Sequence, residues 1–475
     1  MKNGFVTWLC SLCFSLFIVN CPLLYAKPPI VKETAPLVIE VPKFAVKTLS
    51  CGMKVLFLKD DELPLVSVNL LIPGGQVQDP EGKEGLANLM CPLLRDGGAG
   101  KFTAEGFDQE LEGRAASMDA AAEKENFSAN FKCLAGDLPR VLELFADMVR
   151  RPAFDLKRFE TAKTNSLDSL NRLTDTPDNL TRALFSRVLM GHSPYGHLAT
   201  PKILTALTRD DVSRFYAENF GPRGAVLAVT GKFDEDQVAS QLEGLFSGWK
   251  NQSEVPARPD AQPLGPAIYF YPKDVSQVFI RWGVPGLKRH DPKDIPLQVA
   301  NYTLGGSGFS SRLMGQIRSN RGLAYFVDSF SIPYDVRGVF ESVGGTRPDA
   351  VGEYLKLMFG VMEEFAKEGP TDKELDEAKR SMIEEFAYNF ESSYKLAPYK
   401  ASLDFHGYPA DYLEKYRASV KAVTREQATR AAQAILSQKD WVLVVCGPAS
   451  LEKDLSAFGK VVKVISLFEP LGNRP

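Results

Sequence analysis

Asn88 and Pro92 lie four residues apart, about one helical turn, and Cys91 directly precedes Pro92, a spacing at which catalytic side chains could act together. They belong to the segment Gly85–Leu94, which we predict to be helical. Histidines at the first and last of these positions, with a carboxylate at the middle one, could hold zinc and activate water. The Asn88 amide is a poor zinc ligand, Pro92 has no donor atom and Cys91 offers no carboxylate. We therefore expect no zinc-dependent hydrolysis by this chain alone.

Cys91 is also a potential nucleophile for a cysteine hydrolase. Such a thiol needs a general base, usually a histidine, within hydrogen-bond reach. No histidine lies near Cys91 in the sequence and Pro92 follows it directly, so the sequence does not favour this chemistry. The cysteines that follow residue 26 show no C-x-x-C pair, and we expect buried free thiols rather than a structural zinc site; these are Cys51, Cys91, Cys133 and Cys446.

Length, charge and the first residues narrow the class of protein. A chain of 475 residues predicts two or more domains, and a net charge of −3 gives no basic stripe for nucleic acid. Residues 1–26 combine Lys2, the apolar run Trp8–Val19 and a small residue, Ala26, as secretory signals do. We expect an exported protein, periplasmic or secreted, although an uncleaved anchor or lipid attachment at Cys21 stays open. No later segment is apolar for long enough to span a bilayer.

The sequence repeats itself weakly at a spacing near 210 residues. In each half a predicted strand ends at a turn, and an apolar helical pattern, a glycine-containing segment, a second strand and a helix follow. Each half then closes with a strand that ends in glycine. This order predicts two α+β domains related by duplication. The paired strands are Leu65–Ile72 with Ser276–Val284, Asn126–Leu134 with Gly338–Gly344, and Ala225–Gly231 with Trp441–Gly447.

Several segments together resemble the pitrilysin/insulinase family of zinc peptidases. Asp79–Ala87 is similar to the lead-in to that family's inverted zinc motif, H-x-x-E-H. In that register the two histidines correspond to Asn88 and Pro92, and the glutamate corresponds to Cys91. Further similar segments follow in the family's order: Pro194–Gly196, Leu207–Tyr216, Ala225–Gly231 and Leu304–Leu313.

The resemblance implies a fold and its boundaries. Each of two homologous domains would contain a mainly antiparallel sheet packed with helices, in a clam-like arrangement. With the proline-rich and polar stretch 251–265 as a linker, we place the first peptidase-like domain at 37–250 and the second at 266–470.

The family's third zinc ligand is a glutamate on a later helix, which here resembles Phe159–Thr174. The matching residue is Asp168, which could bind a metal but forms no three-ligand zinc set with Asn88 and Pro92. We expect no metal on this chain and interpret Asp168 as a solvated helix residue.

Arg318–Tyr325 resembles the family's arginine–tyrosine signature, in which two residues seven apart lie opposite the zinc. Arg318 and Tyr325 can donate hydrogen bonds to a substrate carbonyl and stabilise the oxyanion that develops there. The resemblance also implies that a loop beside the cleft, a potential substrate gate, is formed by Gly305, Gly306, Ser307 and Gly308. Packing roles for Arg318 and Tyr325 are the structural alternative.

These features predict a catalytically incomplete subunit that binds a peptide substrate. The resemblance implies a homologous partner chain that carries the intact motif and the zinc. A homodimeric peptide-binding module or scaffold without chemistry is the alternative from another class, and an active zinc peptidase with unusual ligands is a third.

Overall fold

The computed structural model describes residues 40–250, 260–469 and 471. Val41–Pro475 form one unit, separate from Met1–Glu40, and every element below lies within it. The predicted leader at residues 1–26 and most of the predicted linker lie outside the described residues. The domain bounds 37–250 and 266–470 therefore stay predictions.

The first sheet has six strands in the order β1-β2-β6-β3-β5-β4. Neighbouring strands are antiparallel except β2 and β6, which are parallel. Buried and partly exposed residues alternate along the whole of β3, as expected for a strand with one face packed against the core and the other partly open to solvent. The strands are β1 (Ala45–Thr48), β2 (Lys54–Lys59), β3 (Leu65–Pro73), β4 (Ser117–Ala122), β5 (Asn126–Leu134) and β6 (Val226–Gly231).

Eight α-helices accompany this sheet among the described residues, and their starts follow capping chemistry. The side chain of Thr208, for example, accepts a hydrogen bond from the Asp211 backbone N–H, and the Asp211 carboxylate accepts one in return from the Thr208 backbone. The helices are α1 (Leu86–Asp96), α2 (Ala104–Glu112), α3 (Leu138–Arg150), α4 (Leu156–Arg172), α5 (Pro177–Met190), α6 (Pro201–Ala206), α7 (Arg209–Asn219) and α8 (Glu235–Phe246).

The second sheet also has six strands, in the order β12-β7-β11-β8-β10-β9. The β12–β7 and β7–β11 pairs are parallel, and the other three are antiparallel. The strands are β7 (Ala267–Pro272), β8 (Val278–Pro285), β9 (Ala324–Ile332), β10 (Val339–Thr346), β11 (Val442–Gly447) and β12 (Val461–Lys463). The helices are α9 (Asp294–Asn301), α10 (Val351–Glu368), α11 (Asp372–Phe386), α12 (Ser393–Phe405), α13 (Tyr412–Ala422), α14 (Arg425–Leu436) and α15 (Glu452–Leu455).

The two sheets share one topology. Strands β2-β6-β3-β5-β4 of the first sheet correspond in order and direction to β7-β11-β8-β10-β9 of the second. The prediction of two homologous, mainly antiparallel α+β domains is therefore confirmed. None of the helices in the described part of the chain is long and apolar enough to cross a membrane.

One helix of each half packs on the sheet of the other half. Helix α5 lies against β8 and β11 of the second sheet, and α12 lies against β6, β3 and β2 of the first. Every residue of β6 and β11 is buried as a result. Helix α5 contributes Leu184, Phe185 and Val188 to a core that contains Tyr269 and Val444 of the second sheet.

Buried ion pairs accompany this exchange of helices. Arg281 on β8, 4% exposed, donates to Asp178 Oδ1 on α5 at 2.6 Å and to Glu341 Oε2 on β10 at 3.0 Å. Arg289 donates to Glu125 Oε2, which lies in the turn between β4 and β5, at 2.6 Å. Because a buried charge without a partner costs several kcal/mol, these contacts fix the relative position of the two halves.

Gly283 on β8 leaves the space into which α5 packs, and alanine there should destabilise the protein. A Cβ atom at Gly283 would lie 2.4 Å from Phe185 Cζ and 2.5 Å from the Phe340 carbonyl oxygen. We expect Gly283→Ala to lower the free energy of unfolding by about 1–3 kcal/mol, as overpacked cores do. Urea unfolding measures this change. Gly360→Ala is the matched control, since nothing lies within 4 Å of a Cβ on that helical glycine and alanine favours helix.

Candidate functional site

Helix α1 is held at its first turn by Asp79. The Asp79 carboxylate accepts hydrogen bonds from the backbone N–H groups of Gly85 at 2.7 Å and Ala87 at 2.8 Å. Such contacts satisfy amide groups that have no partner inside the helix. Asp79 is only 8% exposed, and this burial raises its pKa to about 7. Gly85 has a φ of 103°, in the left-handed region that favours glycine.

The three positions of the zinc motif are divided between the two sides of α1. Asn88 and Pro92 are exposed and line a large cavity, whereas Cys91 is 0% exposed and packs in the core of the first domain. Burial raises the pKa of the Cys91 thiol, so the thiolate that nucleophilic or metal chemistry requires is disfavoured. The Asn88 Oδ1 atom accepts a hydrogen bond from Gln76 Nε2 at 3.2 Å.

Asp168 does not complete a metal site. It is exposed on α4, whereas the residues of α4 that line the same cavity include Asn165 and Ser169. Within the described residues there is no group of three His, Cys, Asp or Glu side chains that could hold a metal ion. The donor set at Asn88, Cys91, Pro92 and Asp168 therefore does not fit zinc. All four cysteines of the described chain are free; Cys91, Cys133 and Cys446 are buried, but Cys51 is partly exposed, unlike the predicted buried thiol.

The cavity has a volume of about 1480 Å³ and extends from α1, α4 and α5 to strands β8, β9 and β10. Arg281 and Asp328 contribute polar groups from the second domain, and Phe326 and Phe330 contribute apolar surface. Burial raises the pKa of Asp328. Sequence reasoning missed Arg281, although an arginine within the otherwise mainly apolar strand Val278–Pro285 is a signal for a paired, buried charge.

The structure brings Arg318 and Tyr325 together on a different surface. Arg318 lies in a π-helical turn, Met314–Ser319, and Tyr325 lies on β9 with 76% of its surface exposed. The Arg318 Cζ atom is 5.2 Å from the centroid of the Tyr325 ring. Neither residue lines the large cavity.

Phe309 completes this cluster and was not identified from the sequence. Its ring centroid lies 4.6 Å from Arg318 Cζ, so the guanidinium contacts two aromatic rings. Phe309 is 73% exposed. An exposed phenylalanine costs hydration free energy, and its contact with a cation offsets part of that cost. We call Phe309, Arg318 and Tyr325 the arginine bracket.

The glycine segment beside the bracket is not the loop that the sequence predicted. Tyr302–Gly306 form a π-helical turn and Gly308–Ser310 form a 3-10 turn. The absence of a side chain at Gly305 permits this turn, because a Cβ there would lie 2.3 Å from Ser329 Oγ. Gly308 has a φ of 57° and directly precedes Phe309. Substrate binding by Gly305, Gly306, Ser307 and Gly308 stays a prediction.

Comparison with known proteins assigns a family. The model of the insulinase family (peptidase family M16) matches residues 54–202, and the model of the peptidase M16 inactive domain matches residues 206–382. The chain belongs to the insulinase family of peptidases, M16. It is 28% identical over 294 residues to an uncharacterized zinc protease of Streptomyces coelicolor. The aligned region covers 59% of this chain and 63% of the relative, so this chain spans less than two thirds of the relative's length.

Two further matches carry names that describe an inactive protein or domain. The non-peptidase homolog YmxG of Helicobacter pylori is 25% identical over 338 residues, covering 69% of this M16 chain and 76% of that protein. The crystal structure of a peptidase M16 inactive domain from Pseudomonas fluorescens superposes with a TM-score of 0.78 and 27% identity, covering 86% of this chain and 98% of that one.

The fold has a second match in a protease from Helicobacter pylori, with a TM-score of 0.78, 20% identity and coverage of 86% of this chain and 100% of that chain. The inactive-domain matches, and motif positions whose residues do not fit zinc, support a catalytically incomplete member of the M16 family.

Protonation of Asp79 should make the stability of this M16 chain depend on pH. The folded-state pKa of about 7 lies above the value near 3.9 of an unfolded aspartate, so the folded protein binds more protons between these values. The free energy of unfolding should therefore fall as pH rises from about 4 to about 7, by about 1.4 kcal/mol for each unit of pKa difference.

Urea unfolding at pH 5 and pH 7.5 measures this effect in the wild type and in Asp79→Asn, which keeps an acceptor oxygen but does not titrate. The free energy of unfolding of the wild type, relative to that of Asp79→Asn, should be higher at pH 5 than at pH 7.5. A pH-independent difference would contradict the assignment to Asp79.

Proposed function

We propose that this chain is the substrate-binding subunit of a two-chain peptidase, in which a homologous M16 partner supplies the zinc. The arginine bracket carries this proposal: in the described chain, which has no fitting set of zinc donors, the partly buried Arg318 guanidinium lies beside the exposed Tyr325 phenol. Both groups are hydrogen-bond donors suited to a carbonyl oxygen that gains negative charge.

The division of roles follows from the residues present. A zinc ion in the partner would supply the activated water. In this chain, Arg318 would bind and orient the scissile carbonyl, Tyr325 would donate a second hydrogen bond, and Phe309 would hold the guanidinium in place. The substrate would be a peptide, because the hydrolysed group of the family is an amide.

The proposed setting is an exported protein in the periplasm or outside the cell. The apolar run after Lys2 and the small residue Ala26 support this location. The full complex would contain this chain, the zinc-bearing partner and a peptide between them.

The complex can be tested by purification and assay. We expect tagged protein to copurify with a homologous chain that carries H-x-x-E-H, and we expect peptide cleavage only when both chains are mixed. Zinc should be found on the partner in metal analysis of the separated chains. Zinc-dependent cleavage by this chain alone would overturn the proposal.

Arg318→Ala separates a role in turnover from a scaffold role. Removal of one donor to an oxyanion lowers kcat by about 10²- to 10³-fold in peptidases, and we expect a loss of that size in the mixed complex. Arg321→Ala is the matched control, since Arg321 is an exposed arginine three residues away that pairs with Glu353 at 3.7 Å. Unchanged turnover in Arg318→Ala would favour a scaffold without a catalytic role.

Phe309 should contribute through the position of Arg318. A cation–π contact at an exposed site contributes about 0.5–1 kcal/mol, so Phe309→Leu should lower kcat of the mixed complex about two- to fivefold. Phe309→Tyr keeps an aromatic face and should retain most of the activity. Equal losses in both variants would show that ring stacking on Arg318 is not the cause.

A further inference from the structure

A second pocket, of about 500 Å³, lies between helices of the second domain and contains an unusual number of tyrosines. Five of the 15 tyrosines in the chain line it, with one phenylalanine. These six residues come from four stretches of chain between the end of α9 and α13, so only the tertiary structure brings them together. We call these six residues the aromatic pocket: Tyr302, Phe386, Tyr399, Tyr408, Tyr412 and Tyr416.

Five of the six rings of the aromatic pocket, all except that of Tyr302, form a continuous chain of contacts. Phe386 stacks on Tyr416 with centroids 4.4 Å apart, and Tyr416 lies 5.8 Å from Tyr412. Tyr412 in turn packs edge-on against Tyr408 at 4.7 Å. Such rings present electron-rich faces, which attract cations within about 6 Å of the ring centre.

Two carboxylates next to these rings have no cation as a partner among the described residues. Glu385 at the mouth accepts a hydrogen bond from the Tyr302 hydroxyl at 2.8 Å. Asp294 is 9% exposed, and only its Oδ2 atom is bonded, to Gln298 Nε2 at 2.9 Å; Oδ1 has no hydrogen-bond partner. Burial raises the pKa of Tyr412 and Tyr416, and neighbouring tyrosines and then Asp294 raise it further.

One basic side chain, Arg289, lines the pocket, whereas Asp294 lies behind the lining residue Gln298. Burial raises the pKa of Asp294, and the charge of Arg289 opposes this rise. The guanidinium of Arg289 is committed to Glu125 at 2.6 Å and Asp335 at 2.8 Å. Burial lowers the pKa of His406 to about 4, so His406 is neutral near pH 7. The ring of His290 packs on Tyr408, and its Nε2 atom lies 2.7 Å from the His406 carbonyl oxygen.

We propose that the aromatic pocket binds an alkylammonium cation, a quaternary ammonium group or a protonated amine on an alkyl chain. The rings would receive the cation, and the carboxylates of Glu385 and Asp294 would balance its charge. A volume of about 500 Å³ lies within the range of small-molecule sites. The cation could come from a free metabolite or from a lysine of a peptide, and this site does not depend on the proposed peptidase role.

The test uses calorimetric titration of the purified full chain at constant ionic strength. Choline is the first probe, and 3,3-dimethylbutan-1-ol is its uncharged analogue of nearly equal shape. We expect choline to bind at least tenfold more tightly than the alcohol. A lysine-containing peptide and the same peptide with norleucine form the second pair, which distinguishes a peptide source from a free cation.

Variants assign the binding to the pocket. Tyr412→Leu should weaken binding of the preferred cation at least tenfold, and Glu385→Gln should weaken it severalfold. Tyr412→Phe keeps the ring and should bind within about threefold of wild type, which controls for folding. Tyr388→Leu is the matched control outside the pocket, since Tyr388 is 69% exposed.

The proposal is supported if either cation binds more tightly than its neutral analogue and this preference is lost in Tyr412→Leu. The pair that shows the preference identifies the source of the cation, a free metabolite or a peptide. The proposal is wrong if neither cation binds at tens of millimolar, if neutral and charged probes bind equally, or if Tyr388→Leu has the same effect as Tyr412→Leu. Each of these results concerns this chain alone and leaves the peptidase proposal untouched.

Discussion

The exchange of helices between the two halves is the constraint on which the rest of the structure depends. Helix α5 of the first half covers the second sheet and α12 of the second half covers the first. Neither sheet could bury both faces of its central strand without the other half, because β6 and β11 are buried along their whole length. The halves therefore stabilise each other as one folded unit, and the cavity between α1 and strands β8 to β10 has walls that are fixed by this packing.

The polar contacts across the junction also hold the two halves together as one folded unit. Glu125 is 6% exposed and is surrounded by donors from the second half, including Arg289 and the backbone N–H of Asp335 at 2.8 Å. Desolvation of a carboxylate is offset only when several donors remain in good geometry. A relative rotation of the halves would break these bonds while the charges stayed buried, so the junction resists opening.

The packing of α1 explains how the helix persists without the chemistry of its family. Position 91 faces the core, where a thiol is a small apolar group but a carboxylate would require a buried partner. Pro92 removes the backbone N–H that would bond the carbonyl of Asn88 in the helix. That carbonyl lies where α1 meets the cavity, and the Asn88 side chain is held by Gln76. The helix keeps a structural role through Asp79 and its buried face.

The repeat in the sequence was sufficient to predict two homologous α+β domains, because each strand is bounded by turn residues and its burial follows the hydrophobic pattern. Other features depend on tertiary contacts that no local pattern encodes. The parallel pairing of β2 with β6 joins residues more than 150 positions apart. The π-helical turn at Gly305 packs closely against Ser329, and the six residues of the aromatic pocket come from four stretches of chain.

The placement of Asp168 shows the same limit within one helix. Its spacing from Pro92 suits the third ligand of the family, yet the cavity-lining face of α4 passes through Asn165 and Ser169. One residue along a helix rotates a side chain by about 100°, so spacing in the sequence locates a turn but not the face that it presents. The spacing does bring Arg318 and Tyr325 together, because Arg318 lies in the π-helical turn that directly precedes β9 and Tyr325 lies at the start of this edge strand. Phe309 then becomes identifiable only through its contact with Arg318: two rings, each more than 70% exposed, are retained on the surface around one guanidinium. The guanidinium offsets part of the cost of exposing these rings, and no local sequence pattern marks such a three-residue contact in advance.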